Sequence, residues 1–485
     1  MKYEFLQPKF TEGVLAKSLQ GRSSEEFYSF GYKDSKNMIP VLSGPVVKRP
    51  GTNYIGEVKD PSAVFIPFFK DKDNTYILEL GIESSTGYLR VWSQNQLLYQ
   101  RTGSGGSSST STTTIYESAS TQYWTEAELE TLKFTQSGDI IFVCCPTRKP
   151  YRIFRTLVTS GTRAADDSFW TVDEYEMTDG PYGSINHYSE DDDDKRYSLK
   201  LTTEPGASNL KTIGTVEFNT IDDSLVLSNH GLQTGQKIRL NGSSLTGWGN
   251  IRQRATSKST TQTHMNGGNT DSGTANFVLD GYVVSSTGTA FQWATTDGGP
   301  VRKFELYEDD PITTSANANV EVQKYVYEAG STTRSLTLYN NGSTGTTLTN
   351  SYFKSSDVGR LIRINPLMKA DSLIGGIKWC WGIIKTVSNS VITVEFKTEM
   401  SNTRGSYGTS EFRLGAFSDG QGWPHVAQIY QQRMVLAANT MQPSTIWLSE
   451  TAQFYSFAPT VLADQGTQQS FTDGVATEVI VDSSA

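Results

Sequence analysis

Apolar and polar positions alternate with a period of two over many short stretches of the chain. A longer helical period is rare. Residues 75–80 (TYILEL) and 88–92 (YLRVW) are β-rich runs separated by Gly, Ser and Thr, and they predict a hairpin. Residues 139–145 (DIIFVCC) are apolar on both faces, which predicts a central strand. Further strands are expected at 301–307, 320–328, 335–339, 361–365, 434–438 and 445–449, with a hairpin over 383–396 turning at Ser388-Asn389-Ser390. Frequent Thr and Tyr suit a half-buried pleated surface. Two capping boxes predict short helices. Thr125-Glu126-Ala127-Glu128 opens one running to about Lys133, and Ser23-Ser24-Glu25-Glu26 opens another through Phe27 and Phe30.

Three stretches read as loops or boundaries: 103–114, built only of Gly, Ser and Thr; the acidic run 190–194; and the polar stretch 255–275. The expected architecture is mainly β and multi-domain: a propeller-like or stacked barrel and sandwich core with small inserted β modules and few short helices. Residues 1–200 form an N-terminal β domain, 201–330 and 331–404 two small inserted modules, and 405–485 a C-terminal segment that packs back on the first.

Composition narrows the function. Forty-two Lys and Arg against 51 Asp and Glu give a net charge of −9, which argues against a sequence-independent DNA binder. Trp, Tyr and Phe number 9, 23 and 22, an aromatic content foreign to disordered chains. Three Cys, two of them adjacent, cannot build a disulfide framework and point to a reducing compartment. The start of the chain lacks the apolar core of a signal peptide, and no run approaches the length of a membrane helix, so neither a cleaved leader nor membrane insertion is expected.

No phosphate loop, nucleophile elbow or H-E-x-x-H pair is present. His187, His230, His264 and His425 stand far apart, and structural roles are expected for each. Asp191 to Asp194 do not match a calcium loop and read as a solvated loop. Cys144 and Cys145 read as inert buried thiols on opposite faces of one strand. No catalytic group, metal or cofactor is nominated.

Four ordered blocks resemble the tail tubular protein B, or nozzle, family of short-tailed bacteriophages. The first is F-T-x-G, a Gly-Arg pair, Tyr, Gly and Asn, then R-P-G-T, filled here by Phe10, Thr11, Gly13, Gly21, Arg22, Tyr28, Gly31, Asn37, Arg49, Pro50, Gly51 and Thr52. The second is an E-L-x-x-L-x-[FY]-x-Q-S-x-D strand from Glu128 to Asp139, with a D-G-P-[YF] turn at Asp179 to Tyr182. The third is SYFKSSDVGRLIRI with WGIIKTVSNSVITVEF. The fourth pairs a Gln-Arg strand ending at Arg433 with a [TS]-[IV]-W-x-S strand containing Trp447. Together they span residues 8–457. Relatives continue well past the last strand.

The resemblance implies a non-enzymatic virion protein of the tail, assembled in the bacterial cytoplasm. Six copies would form a nozzle ring below the portal and adaptor, contacting tail fibres and conducting double-stranded genomic DNA without gripping it. A −9 charge repeated around a ring would repel DNA, although solubility is the plainer reason for it. Residues marked for structural or interface roles are Phe10, Gly21, Arg22, Arg49, Pro50, Gly51, Arg433 and Trp447. Pro50 and Gly51 are expected to reverse the chain into Asn53-Tyr54-Ile55, and Arg433 is a candidate bridge between blades. The apolar N-terminus, Phe5, Leu6, Phe10, Val14 and Leu15, either docks on a neighbour or the adaptor or adds an edge strand to its own domain. The competing class is a carbohydrate-binding or carbohydrate-cleaving receptor protein of the tail, with Trp and Tyr stacking on sugar rings.

Overall fold

The computed structural model describes residues 7, 9–83, 86–94, 96–102, 109–110, 115–118, 124–155, 170–183, 197–219, 222–245, 251–254, 263–264, 275–301, 303–306, 320–340, 352–367, 379–403, 408–458 and 477–480. Phe5, Leu6, His187, the acidic run 190–194, most of 103–114 and most of 255–275 lie outside them. Strands make up 51% and helices 5%, with several sheets, a closed six-stranded barrel and a half-barrel. The mainly β, multi-sheet expectation therefore holds.

The chain divides into two compact units. One is Met1–Lys59 with Gln94–Leu97, and the other is Asp60–Ser93 with Leu98–Ala485. The first holds two small two-stranded sheets. Gly13–Val14 runs parallel to Gly31–Tyr32, and Met38–Pro40 pairs antiparallel with Val46–Lys48. The box expected at Ser23 to Glu26 does not form. Residues Glu26–Phe30 make a 3-10 turn whose preceding residue, Glu25, gives no side-chain cap.

In the second unit three sheets stack face to face. The first contains Val64–Phe69, Thr75–Glu83 and Thr86–Ser93 in antiparallel succession. The second is Lys133–Ser137, Ile140–Cys145, Arg148–Arg155 and Trp170–Glu174. The third is Val426–Tyr430, Arg433–Ala437, Thr445–Leu448 and Thr477–Ile480. Strand Ile140–Cys145 explains the stacking. Successive side chains point to opposite faces, so Ile141 and Val143 enter a core with Phe68, Leu78 and Val91 of the first sheet. Phe142 and Cys144 enter another with Met434, Leu436 and Trp447 of the third. This is the central strand that the two-sided apolar pattern predicts.

Helix Glu126–Leu129 has the capping box predicted for it, but it stops four residues short of Lys133. Lys133 already pairs with Cys144 as the first residue of a strand. A single turn cannot resist the pull of a ladder with several bonds.

Between the second and third sheets the chain builds two barrels. Leu210–Asn219, Ser224–Val226, Ala290–Ala294, Ala275–Ser286, Lys237–Leu245 and Val320–Tyr327 pair in that order, and the last returns to the first. This ring removes every open edge, and Leu225, Ile238, Leu240, Trp293 and Val322 fill it. Tyr197–Leu201, Thr333–Asn340, Val391–Phe396, Cys380–Ser388, Leu361–Ile364 and Phe412–Leu414 form the half-barrel. Strand Tyr197–Leu201 meets the segment just before Phe412–Leu414 at one bridge, where Leu199 and Thr409 exchange backbone bonds of 2.8 and 2.9 Å. The Asn389 turn appears as expected, with φ 51° joining Cys380–Ser388 to Val391–Phe396.

Candidate functional site

The D-G-P-Y turn is where three modules of the second unit meet. The chain leaves the second sheet at Glu174. Thr178 then forms a parallel bridge with Ser456, which follows strand Thr445–Leu448 of the third sheet. Four residues later Tyr182 bridges Gly415 beside the half-barrel. The Pro181 carbonyl accepts from the Ala416 amide at 2.8 Å, and the Gly183 amide donates to the Leu414 carbonyl at 2.9 Å. Gly180 sits at φ +120°, with the Phe457 carbonyl where a side chain would stand, so only glycine fits.

Asp179 accepts from the Tyr182 hydroxyl at 2.9 Å and faces Arg363 Nε of the half-barrel at 3.8 Å. Burial pushes the Asp179 carboxyl above its ordinary range, against the opposing pull of Arg363 and the Tyr182 hydroxyl. Burial and the adjacent Asp179 likewise hold the Tyr182 phenol well above its usual value.

Beside this junction lies a cleft of about 530 Å³. One wall is the outer face of the half-barrel strand Cys380–Ser388. Alternation there turns Cys380 and Ile384 inward and Trp381, Ile383 and Lys385 toward the cleft. Phe417 and Trp423 form an apolar wall near the third sheet, their rings stacked 6.5 Å apart. The rim is ionic. Lys149 pairs with Glu174 at 2.6 Å, and Glu395 takes both Lys385, at 2.7 Å, and Lys397. Those two lysines, bonded to the carboxylate, hold Glu395 below its ordinary range. The carboxylates among the lining residues, Glu174 and Glu176, come from the end of one strand, and Glu174 is already held by Lys149. Two facing carboxyl groups, as glycoside hydrolysis needs, are not what this lining provides. The cleft can hold an amphipathic group by stacking and by polar contact. Sequence reading missed it, because its walls come from strands far apart in the chain. The visible signal is Trp381, Ile383 and Lys385 at every second position.

The marked residues fall in two places. Phe10, Gly21, Arg22, Arg49, Pro50 and Gly51 belong to the first unit, and Arg433 and Trp447 to the second. Phe10 donates its amide to the Gly44 carbonyl at 2.8 Å and sets its ring edge-on to Tyr32 at 5.8 Å. Gly21 and Arg22 are exposed in a turn, the Arg22 amide bonded to the Leu19 carbonyl. The Arg49 amide bonds to the Asn37 carbonyl at 2.9 Å. The reversal expected at Pro50-Gly51 is absent. Gly51 has no positive φ, and residues 51–58 run on without a turn. Pro50 alone fixes φ at a value that suits an extended chain.

Arg433 and Trp447 join the two halves of the fourth block. Arg433 Nη1 donates to the Ser449 carbonyl at 3.1 Å, a bond between neighbouring strands of one sheet. Ser449 Oγ in turn accepts the Met434 amide at 2.9 Å. Trp447 is buried edge-on to Phe417 at 4.8 Å. The second block behaves similarly. Glu128 accepts from the Thr125 amide, Thr147 and Arg148, while the Gln136 side chain bonds both backbone groups of Phe69.

Elsewhere, His230 is a turn residue whose Nδ1 accepts the Leu232 amide at 2.9 Å. Cys144 and Cys145 are both buried, and burial pushes the Cys144 thiol far above its usual value. Among the described residues no three His, Cys, Asp or Glu side chains gather as a metal site, and no helix is long and apolar enough to cross a membrane.

Fold and site together define a mainly β protein with stacked sheets and two inserted barrels, joined at a buried Asp–Tyr–Arg turn. No protein-family model matches the chain, and no curated protein matches it.

Proposed function

We propose that this chain is a structural protomer of the tail of a short-tailed bacteriophage, a wall element of a hexameric nozzle ring below the portal and adaptor through which genomic DNA leaves. The observation that carries the reading is where the motif residues stand. Glu128 ties the short helix to the second sheet and Gln136 ties the second sheet to the first, the Asp179 turn ties sheet to barrel, and in the fourth block Arg433 bonds across its sheet while Trp447 packs on Phe417. A motif set that holds modules together is the kind a scaffold requires, whereas an enzyme's motifs converge on a reacting atom. The chain charge of −9 favours passage of DNA over retention. In this reading the protein is not an enzyme, needs no cofactor, and contacts copies of itself, the adaptor and tail fibres.

Imaging of purified virions with a labelled antibody against this chain tests it. Label at the tail below the portal is the expected result. Label on the capsid or on fibre tips, or absence from the particle, overturns it.

The cleft supports one alternative. Trp381 beside a charged rim suits a sugar ring, with its apolar face on the indole and its hydroxyls on Lys and Glu. Saturable binding on a glycan array, lost in Trp381→Ala, would favour a receptor-binding protein. Release of reducing sugar would favour a cleaving one.

A further inference from the structure

The cleft carries unbalanced charge on two of its walls, both within the second unit. On the half-barrel wall, Lys385 and Lys397 share a single carboxylate, Glu395. That carboxylate is 13% exposed and stands outside the lining, whereas the two lysines are 43% and 37% exposed and belong to it. One positive charge is left over. The strand register slips by one residue between Ile384 and Thr386, so Lys385 is an extra residue in its strand. Bulges of this kind re-aim a side chain, and here the side chain is a lining lysine. Where the chain leaves the second sheet, Lys149 and Glu174 cancel at 2.6 Å. Glu176, two residues further on, is exposed, lines the cleft and has no ion pair or side-chain hydrogen bond among the described residues. One negative charge is left over there.

The occupant that answers both surpluses carries a base and an acid on an apolar body. Trp381, Ile383, Phe417 and Trp423 of the same lining supply the apolar contact. A neutral sugar answers neither charge. An extended peptide answers both, because its adjacent side chains point to opposite sides and its alternate ones to the same side. An acidic side chain can then meet Lys385 and Lys397 while the next residue, a base, meets Glu176. The residue after that returns to the first side. It falls on Ile383 and Trp381, which stand two and four residues from Lys385 along one strand. A cleft of about 530 Å³ has the size of a small-ligand site, enough for these few side chains.

We propose that the cleft binds an extended peptide segment of a partner protein in which an acidic, a basic and an aromatic or aliphatic residue follow one another. Charge complementarity sets the order of the three, and the ring of Trp381 supplies the apolar anchor. The site goes beyond the tail reading and does not depend on the chain's place in a virion.

Isothermal titration of the full chain with the end-blocked peptide Ser-Asp-Lys-Phe-Ser tests it. Saturable binding with a Kd of about 1 mM or tighter is expected, weakening as salt is raised. Glu176 is exposed and holds no partner, so its variants keep the fold, which an unchanged circular dichroism spectrum verifies. Glu176→Gln should weaken binding by about twofold to fivefold. Glu176→Lys should reverse the preference and take Ser-Asp-Glu-Phe-Ser over the original. Ser-Asp-Phe-Lys-Ser puts acid and base on the same side and should bind more weakly than the original in the wild-type chain. No saturable binding overturns the proposal, as does an affinity unchanged in both Glu176 variants or equal for the two orders. Displacement of the peptide by maltose, with the same maltose affinity in Glu176→Lys, overturns it in favour of a sugar site.

Discussion

Glu79 is a fully buried carboxylate on the outer side of the first sheet. It accepts from the Tyr88 hydroxyl at 2.8 Å, Arg90 Nη1 at 3.0 Å and Trp92 Nε1 at 2.7 Å. Arg90 is itself 6% exposed and lies over the Trp92 ring at 4.5 Å. Removing the carboxylate breaks a buried ion pair, which typically costs about 3–5 kcal/mol. Glu79→Ala should therefore lower stability by about that amount, read as a fall in the urea midpoint. Nothing in the TYILEL run announces this. The sequence shows Glu79 at an outward position of an alternating strand, and its partners become neighbours only when the hairpin register pairs Glu79 with Arg90.

Glu128 gives a pH prediction. Burial alone would raise its pKa, but bonds from Thr147, the Thr125 amide and Arg148 outweigh it and leave the group below the ordinary 4.5. A carboxyl whose pKa is lower in the folded state stabilises the protein fully above its unfolded value. That contribution fades as pH falls through the folded value. Stability should therefore drop on acidification below about pH 4.5, and Glu128→Gln should flatten that drop. Urea midpoints measured from pH 6 to pH 3 in both proteins decide the matter.

At the scale of elements, strands were legible because an alternating pattern carries its own period. Thr75–Glu83, Ile140–Cys145, Val320–Tyr327 and Arg433–Ala437 all fall where the pattern put them. Pairing was legible only across short turns. Closure of the barrel joins Leu210–Asn219 to Val320–Tyr327, roughly a hundred residues apart, and no local signal encodes that partner. The seam of the half-barrel is equally hidden. It rests on Gly408, φ +76°, where a methyl group would strike the Leu199 carbonyl. Gly408→Ala should cost at least about 1–2 kcal/mol from the backbone alone. Its specific signature is faster amide exchange at Leu199 and Thr409, with exchange in the closed barrel unchanged.

For the whole molecule, the alternating pattern foresaw a mainly β protein, and the stacking of sheets followed from one two-sided strand. The boundary expected near 200 falls inside strand Tyr197–Leu201, and Phe412–Leu414, placed by sequence in the C-terminal segment, pairs with Leu361–Ile364 of the half-barrel. Sequence reading offered no signal for strands that pair across those expected boundaries. The junction at Asp179 to Tyr182 was legible as a motif. Its role was not, because Arg363 and Phe457 reach it only in three dimensions. The net charge of −9 predicts that duplex DNA at about 0.15 M salt leaves the protein's electrophoretic mobility unchanged. A retarded band would contradict a conduit that lets its cargo slide.

The third sheet is the last of the stack to emerge from the ribosome, yet it covers Phe142 and Cys144 of the second. About 300 residues separate Cys144 from Trp447. At roughly 5–20 residues per second, that greasy face waits roughly 15–60 s for its cover during synthesis. The strands of both barrels are synthesised in the interval. The nascent chain is thus exposed to misassociation for up to about a minute, and chaperone depletion in the producing cell should send this protein into inclusion bodies before it affects the barrels expressed alone.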